Sequence, residues 1–543
     1  LYWGYLLLAV LANGIDLLCA LVVLTCYCSM KKLSCFFQKG VVKYLFFIQL
    51  IWCFSCCQRP KQAVSEKKDD IPPEMQLVLQ HFKKDPNPLK IKAAGYLVKH
   101  MAAQWHVAGK GVDNYQMLFS ELLRTDSSQK KHYEEIWDSL TRAFGPDFPG
   151  PVKRVNDTQT LKAQELITHI DASFIAWQKP WCKHLSFNEF CEYILPYKLI
   201  NESFSKNWMA TIQNRYHWLG DSMKASKDVY RACLLVNNDL KSKFTISAFP
   251  TIWDSSFDDL DAIKYGKCFQ ASQYTAYVMR AMGIPVVMDF TPFWGNMNGG
   301  HDWDALIYNG KPIPFVGSES DPGHTKIDLA FQRKRAKVFR KMYALQDSTL
   351  VTDVRAGEKI PSTLSNGRYK DVTDQYIPVS DVTLKINDYQ PQQAHAYLCV
   401  FNRQHWVPAY WGTVDGDEAS FKKMGRDLIY LPQYYNNGLF IPAGNPIILK
   451  HDGSTVEIKY ADTKNTTLKI DKKGPQGPNT KKGTEYELYC WKNGWKLLQV
   501  VKASENKMVF KNVPEDALFW LHSDDKASKE RIFTNFKNNL EWW

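Results

Sequence analysis

The chain has 543 residues, 45% hydrophobic and 14% aromatic, with a formal net charge of +12. That length and apolar content exclude a disordered protein and require several domains, each able to bury a core. The positive charge is spread along the chain with no basic stripe carrying interleaved aromatics, which argues against a nucleic-acid partner.

Residues 1–29 are almost wholly apolar, interrupted by Asn13 and Asp16. They read as a membrane span or as sequence upstream of the true start. Met30-Lys31-Lys32 and the apolar run from Val41 to Ile51 favour the second reading, because a charged start followed by a hydrophobic stretch is the pattern of a signal peptide, here over residues 30–57. The run ends in Cys53-Phe54-Ser55-Cys56-Cys57. A small residue and a cysteine after such a run resemble a bacterial lipoprotein cleavage site. The resemblance implies lipidation at Cys56, with Cys57 the alternative, and a lipid-anchored place in the bacterial cell envelope. Residues 58–70, rich in Lys, Ser, Glu and Asp, read as a tether.

From 71 to 244 the periodicity is helical. Met75, Val78, Leu79 and Phe82 form one stripe, and Asn87-Pro88 caps and starts a helix that turns Leu89, Ala93, Tyr96, Leu97 and Met101 inward. Another helix is expected from Val229 to Leu240. The aromatic stretch Phe187–Lys198 reads as core, with Glu192 as a surface or capping charge.

The region 245–376 carries the chemistry. Asp254, Asp258, Asp259 and Asp261 lack the alternate spacing of a calcium loop and read as turn and cap residues, so no metal is expected. Trp253 reads as a packed core residue. Cys268 follows a glycine turn and opens a helix whose Ala271, Thr275, Val278, Met279 and Met282 share a stripe. In the first helical turn a thiol meets free N–H groups and the positive end of the dipole, which favour thiolate. Gly283-Ile284-Pro285 ends the helix, and Val286–Phe290 reads as a buried strand. The glycine-rich loop from Trp294 to Gly300 then leads into His301-Asp302-Trp303-Asp304-Ala305-Leu306-Ile307, where His301, Trp303, Ala305 and Ile307 fall on one face of an extended chain. The imidazole is expected to point at the layer where the helix packs.

The Gly266-x-Cys268 helix start, the Arg280-x-x-Gly283-Ile284-Pro285 segment and the His301-x-Trp303 strand together resemble the transglutaminase-like core of the papain-type cysteine enzymes. The resemblance implies Cys268 as nucleophile, His301 as base, and an acidic residue on the next strand to orient it. Glu319 and Asp321 are the candidates; Glu319 is preferred because Asp321-Pro322-Gly323 reads as a turn. Val287 stands where the family commonly has Arg. The backbone N–H of Cys268 is the expected oxyanion donor. No cofactor is implied.

After 376 the pattern changes to short strands. Val382, Leu384 and Ile386 alternate, as does Thr455–Tyr460, and Asn493-Gly494 within Tyr489–Leu497 marks a hairpin. Two β-sandwich-like modules are expected, 377–454 and 455–543. The aromatic run Tyr430–Tyr435 reads as a packed loop. Cys182, Cys191, Cys233, Cys399 and Cys490 form no Cys-x-x-Cys pair, which argues against a zinc site or a disulfide framework.

The expected fold is therefore multidomain α+β: a helical N-terminal region, a transglutaminase-like core and C-terminal β modules. The expected function is a cell-envelope cysteine-dependent amide hydrolase or acyltransferase acting on peptide, protein or peptidoglycan. The alternative is an inactive surface-binding lipoprotein that captures glycan or protein.

Overall fold

The computed structural model describes residues 71–543, apart from 125–132, 146, 248–252, 325–332, 388–392, 461–464, 475–478, 506 and 525–529. The expected leader, the lipidation candidates Cys56 and Cys57, and the tether lie outside the described residues. Among these no helix is long and apolar enough to cross a membrane. The architecture is mixed, with helices first and several antiparallel sheets after them.

The helical region holds α1 (Pro73–Lys83), α2 (Pro88–Met101), α3 (Lys110–Arg124), α4 (Tyr133–Phe144), α5 (Ala163–Trp177), α6 (Phe187–Tyr193), α7 (Trp208–Arg215), α8 (Trp218–Ser222) and α9 (Val229–Lys241). A two-stranded ribbon, β1 (Trp105–Ala108) with β2 (Lys153–Asn156), interrupts them. Asn87 caps α2 by accepting from the Leu89 N–H, and Met75, Val78 and Phe82 are buried as their spacing requires. Glu192 differs from its reading as a surface charge: it is half-buried and accepts from the Tyr96 hydroxyl, and burial pushes its pKa up.

Helices α10 (Phe257–Ile263) and α11 (Cys268–Ala281) follow, with the short parallel pair β3 (Thr245–Ile246) and β4 (Tyr265–Gly266) leading into α11. Every residue of α11 from Gln270 to Ala281 is buried. The single-stripe expectation is too narrow because α11 is covered all round, by helices on one side and a sheet on the other. Val78, Leu97, Ile170, Ile212, Val236 and Val278 belong to one continuous cluster, so the helical region and the chemistry-bearing region share a core.

The sheet against α11 has the order β7-β6-β5-β8-β9, all antiparallel: β5 (Val286–Thr291), β6 (His301–Tyr308), β7 (Lys311–Phe315), β8 (Phe339–Lys341) and β9 (Tyr369–Asp371). Val286, Met288, Leu306 and Phe315 join the α11 cluster. Their alternates Val287, Ala305 and Ile307 form a separate cluster with Tyr193 on the other face.

The first β module is one continuous eight-stranded antiparallel sheet rather than two stacked ones. It comprises β10 (Val379–Lys385), β11 (His395–Asn402), β12 (His405–Asp415), β13 (Glu418–Gly425), β14 (Leu428–Asn436), β15 (Leu439–Pro442), β16 (Ile447–Leu449) and β17 (Thr455–Glu457). Because β17 pairs with β16, residues 455–457 belong here and the module extends past 454. One face closes on itself, packing Val382, Leu398, Val400 and Phe421 with Leu428, Ile447 and Leu449 from the far end of the same strand order and with Phe339 of the preceding sheet, and the other sets Phe401, Ile429 and Leu431 against Trp491 and Leu518 of the second module. Tyr430–Tyr435 is part of β14, with Tyr430 fully buried, rather than a loop.

The second module does have two layers. The pair β18 (Asn465–Ile470) with β21 (Met508–Pro514) covers a five-stranded sheet of β19 (Glu485–Trp491), β20 (Trp495–Lys502), β22 (Leu518–His522), β23 (Ile532–Phe536) and β24 (Asn539–Trp542), with Leu468, Phe510, Leu488 and Phe519 between them. Asn493 adopts a left-handed conformation at the β19–β20 turn, as the Asn-Gly pair requires. Buried Arg531 donates to the carbonyls of Gly295, Phe401 and Trp543, joining three regions of the chain.

His395 on β11 is buried between two carboxylates: Nδ1 lies 2.9 Å from Glu358 and Nε2 lies 3.0 Å from Asp353, at the end of helix α12 (Leu350–Asp353). Burial lowers its pKa, but the two carboxylates outweigh burial and the net shift is upward. A raised folded-state pKa stabilises below the unfolded value of about 6.5 and ceases to do so as pH rises through the folded value. The melting temperature is therefore expected to fall as pH is raised from 6 toward 9, with this part of the slope absent in His395→Gln. Equal slopes in the two proteins would contradict the assignment.

Candidate active site

The site is built where the start of α11 meets the start of β6. Gly266 makes the approach possible: a Cβ there would lie 2.6 Å from the Cβ of Gln270, whose side chain folds back to accept from the Lys267 N–H and caps the helix. Cys268 is the first helical residue, so its own N–H is not used by the helix ladder.

The sulfur is partly exposed. Its pKa is nevertheless raised: burial is the main cause and the Asp302 charge adds to it, whereas the N–H groups of Asp302 and Phe269 and the Lys341 cation oppose them. The expectation of a resting thiolate is thus corrected. The helix start helps the anion, but desolvation outweighs it, and the resting group is a thiol.

The influence of the Asp302 N–H places the sulfur against the first residues of β6, beside the residue that follows His301. His301 is half-buried, with its ring roughly parallel to Trp294 at 6.2 Å and to Trp303 at 6.1 Å between centroids. The Arg335 guanidinium lies over both indoles, 5.6 Å from Trp294 and 5.7 Å from Trp303. Burial lowers the His301 pKa, the Asp302 charge opposes, and Arg333 and Arg335 reinforce the fall. At neutral pH the imidazole is neutral, the form a base requires. The imidazole does not point at the layer where α11 packs: Asp304 and Leu306 face α11, so by strand alternation His301 shares the opposite face with Trp303, Ala305 and Ile307, and among the described residues no hydrogen bond joins it to Cys268.

Neither candidate for the acidic partner reaches His301. Glu319 is exposed in the turn after β7, its N–H donating to the Val316 carbonyl. Asp321 is bound to α9, 2.6 Å from the Lys241 ammonium and 3.1 Å from the Asn237 amide. Both expectations are corrected for one reason: β7 ends at Phe315, and the chain turns away before residue 319. The β6–β7 register pairs Asp304 with Phe315, so Val316 falls opposite Trp303, on the face that carries His301. Val316 packs against Trp303 in an apolar cluster, and that position offers His301 no carboxylate.

The sequence reading missed Asp302, Lys341, Asp289 and Asp304. Asp302 and Lys341 form a close ion pair, with the Lys341 ammonium also 4.5 Å from the Phe269 ring centroid and 4.8 Å from that of Phe290. Removing the Asp302 charge is expected to lower the Cys268 pKa, because it deletes a charge that raises the pKa and frees Lys341 to act on the sulfur. Asp302→Asn should therefore shift the alkylation pH profile of Cys268 to lower pH; an unmoved or upward-shifted profile would contradict this.

Beneath His301, Trp303 Nε1 donates to the Tyr376 hydroxyl, which donates to Asp289 at 2.6 Å. Arg340 holds Asp289 with two bonds of 2.9 and 2.8 Å. On the α11 side of β6, buried Asp304 accepts from the Gly317 N–H, and burial raises its pKa well above the carboxylate range. Gly317 itself presses so closely on Thr275 that no Cβ fits there.

The acidic cluster before Cys268 keeps the expected cap role at Asp259 and sets Asp261 in a long-range ion pair instead, with one residue in neither role. Asp259 caps α10 with Ser256, and Asp261 binds Arg215 and Tyr274. Asp254 is that residue: burial raises its pKa, and the Lys341 cation opposes the shift. Trp253 packs 5.1 Å from Tyr115, consistent with a core role. No cluster of metal-binding side chains occurs among the described residues.

No family model matches the chain, and no curated protein matches it. Among solved structures, one described as a "Putative Cysteine Protease from Cytophaga hutchinsonii" aligns at 18% identity and a TM-score of 0.18, covering 21% of this chain and 39% of that one. Red sea bream transglutaminase aligns at 10% identity and a TM-score of 0.17, covering 81% of this chain and 77% of that one. Scores this low carry no argument about fold or activity. The chain spans about two fifths of the first of these proteins.

Proposed function

We propose that the protein is a cysteine-dependent amide hydrolase or acyltransferase of the transglutaminase-like kind, acting on peptide, protein or peptidoglycan amides through a thioester. The observation that supports it is the Cys268 thiol at the start of α11, set against the first residues of β6, the strand that opens with His301. Cys268 attacks the amide carbonyl while His301 takes the thiol proton, and the Cys268 N–H stabilises the oxyanion. His301 returns the proton to the departing amine as the C–N bond breaks. Water or a second amine then attacks the thioester, giving up its proton to His301, and the thiol is regenerated. The reading is tested by following amine or ammonia release from a peptide library, with trapped acyl-enzyme detected by intact mass. Release that persists in Cys268→Ala would refute it.

A second reading, an inactive capture protein for glycan or protein, draws support from the raised thiol pKa and from Val316 facing His301 where an acid would serve. Lipid anchorage through Cys56 or Cys57 in a bacterial envelope belongs to the same proposal. Mass spectrometry of the mature N-terminus tests it, and an unlipidated start upstream of Met30 would refute it.

A further inference from the structure

Strand β9 is the outer edge of the sheet that carries His301. Its register with β8 pairs Phe339 with Asp371, Arg340 with Lys370 and Lys341 with Tyr369. The flanking bonds, Val372 N–H to the Val338 carbonyl and Met342 N–H to the Arg368 carbonyl, fix which residues exchange bonds with β8. By antiparallel alternation Lys370 faces β8, and the backbone N–H and C=O groups of Tyr369 and Asp371 point away from it. Among the described residues these outward groups have no hydrogen-bond partner.

They border a groove of about 630 Å³. Its opposite wall is β12 and β13, presenting Trp411, Thr413 and Ser420, and Gln346 and Ser348 stand at one side. Most exposed sheet edges are protected by charge, proline or a covering loop. This one is short and carries Lys370 and Asp371, the latter held by Lys337, but its outward backbone groups are left uncovered beside Trp411. Two strands, β8 and β5, separate it from β6, and it is linked to the site through Lys341: Tyr369 pairs with Lys341, whose ammonium holds Asp302 beside Cys268.

We propose that this groove binds a peptide in extended conformation, added as a strand to the free edge of β9, with alternate side chains resting on Trp411 and Tyr369. The inference rests on the amide-cleaving reading above and narrows its substrate to an unfolded peptide segment. A glycan could use the aromatic wall and bond single backbone groups through its hydroxyls, but the strand spacing of the two outward N–H and C=O pairs matches the alternating groups of a peptide.

The test uses the full chain as Cys268→Ser, which separates binding from chemistry. The probe is a fluorescein-labelled, water-soluble octapeptide of mixed threonine, glutamine and valine, compared with the same peptide N-methylated at every internal amide and with chitotetraose. The expected result is saturable binding of the parent peptide, weakened at least about tenfold by N-methylation and again by Trp411→Ala, with slowed hydrogen exchange at Tyr369 and Asp371. No binding of the parent peptide, equal binding of the N-methylated one, or binding of chitotetraose alone would overturn the proposal. Peptide binding without amine release by the unsubstituted protein would refute the amide-cleaving reading and leave the groove assigned.

Discussion

Replacing His301 with alanine is expected to lower amide turnover by about 10²- to 10⁴-fold, with little change in substrate affinity. The reason lies in the state of the sulfur. Burial and Asp302 hold Cys268 as a thiol, so attack at neutral pH requires a base to remove its proton. The His301 imidazole, at the start of the strand the sulfur lies against, is kept neutral by burial and by Arg333 and Arg335. Because the His301 pKa is lowered, the acid limb of kcat/KM should fall below the ordinary histidine value of about 6.5. Arg335→Ala should move that limb upward. A limb at or above the ordinary value in the unsubstituted protein, or a His301→Ala enzyme of normal turnover, would refute the role given to the imidazole.

Asp289→Ala is expected to destabilise the fold by about 3–5 kcal/mol, the usual cost of removing one partner from a buried ion pair. Arg340 and Asp289 are both buried, and no other carboxylate bonds this guanidinium among the described residues. The same substitution frees the Tyr376 hydroxyl and so loosens Trp303, on which His301 rests. Urea denaturation measures the first effect, and the pH profile of turnover reports the second. Replacing both partners by apolar residues, Asp289→Leu with Arg340→Met, should recover most of the stability without restoring the hydroxyl's partner. A double variant as unstable as Asp289→Ala would show that the loss is one of shape rather than of an unpaired charge.

What the sequence made legible was local. The Asn87-Pro88 helix start, the α11 start at Cys268, the strand after Gly283-Ile284-Pro285 and the Asn493 turn each depend on a few neighbouring residues with strong backbone preferences. What it hid was set by packing across the chain. Lys341 stands 39 residues from Asp302, and nothing in either neighbourhood announces their ion pair. The resting state of the thiol was misread because the helix start is a local signal, whereas burial depends on distant elements. The acidic partner was misread for a similar reason: Glu319 and Asp321 lie at plausible spacing from His301, but the end of β7 at Phe315 and the attachment of Asp321 to α9 are tertiary facts. The first β module was expected to pair two sheets; its strands form one continuous path that closes over its own core, with Leu428, Ile447 and Leu449 packed against Val382, Leu398 and Phe421.

The most direct test of the account is the rate of iodoacetamide alkylation at Cys268, followed by peptide mass mapping in the unsubstituted protein and in His301→Ala. The other cysteines among the described residues, Cys182, Cys191, Cys233, Cys399 and Cys490, are buried and serve as internal controls. Assistance from the imidazole predicts alkylation at pH 7 that is faster than in His301→Ala by about tenfold or more. Equal rates in the two proteins, both rising only at the high pH where a buried thiol ionises, would contradict it.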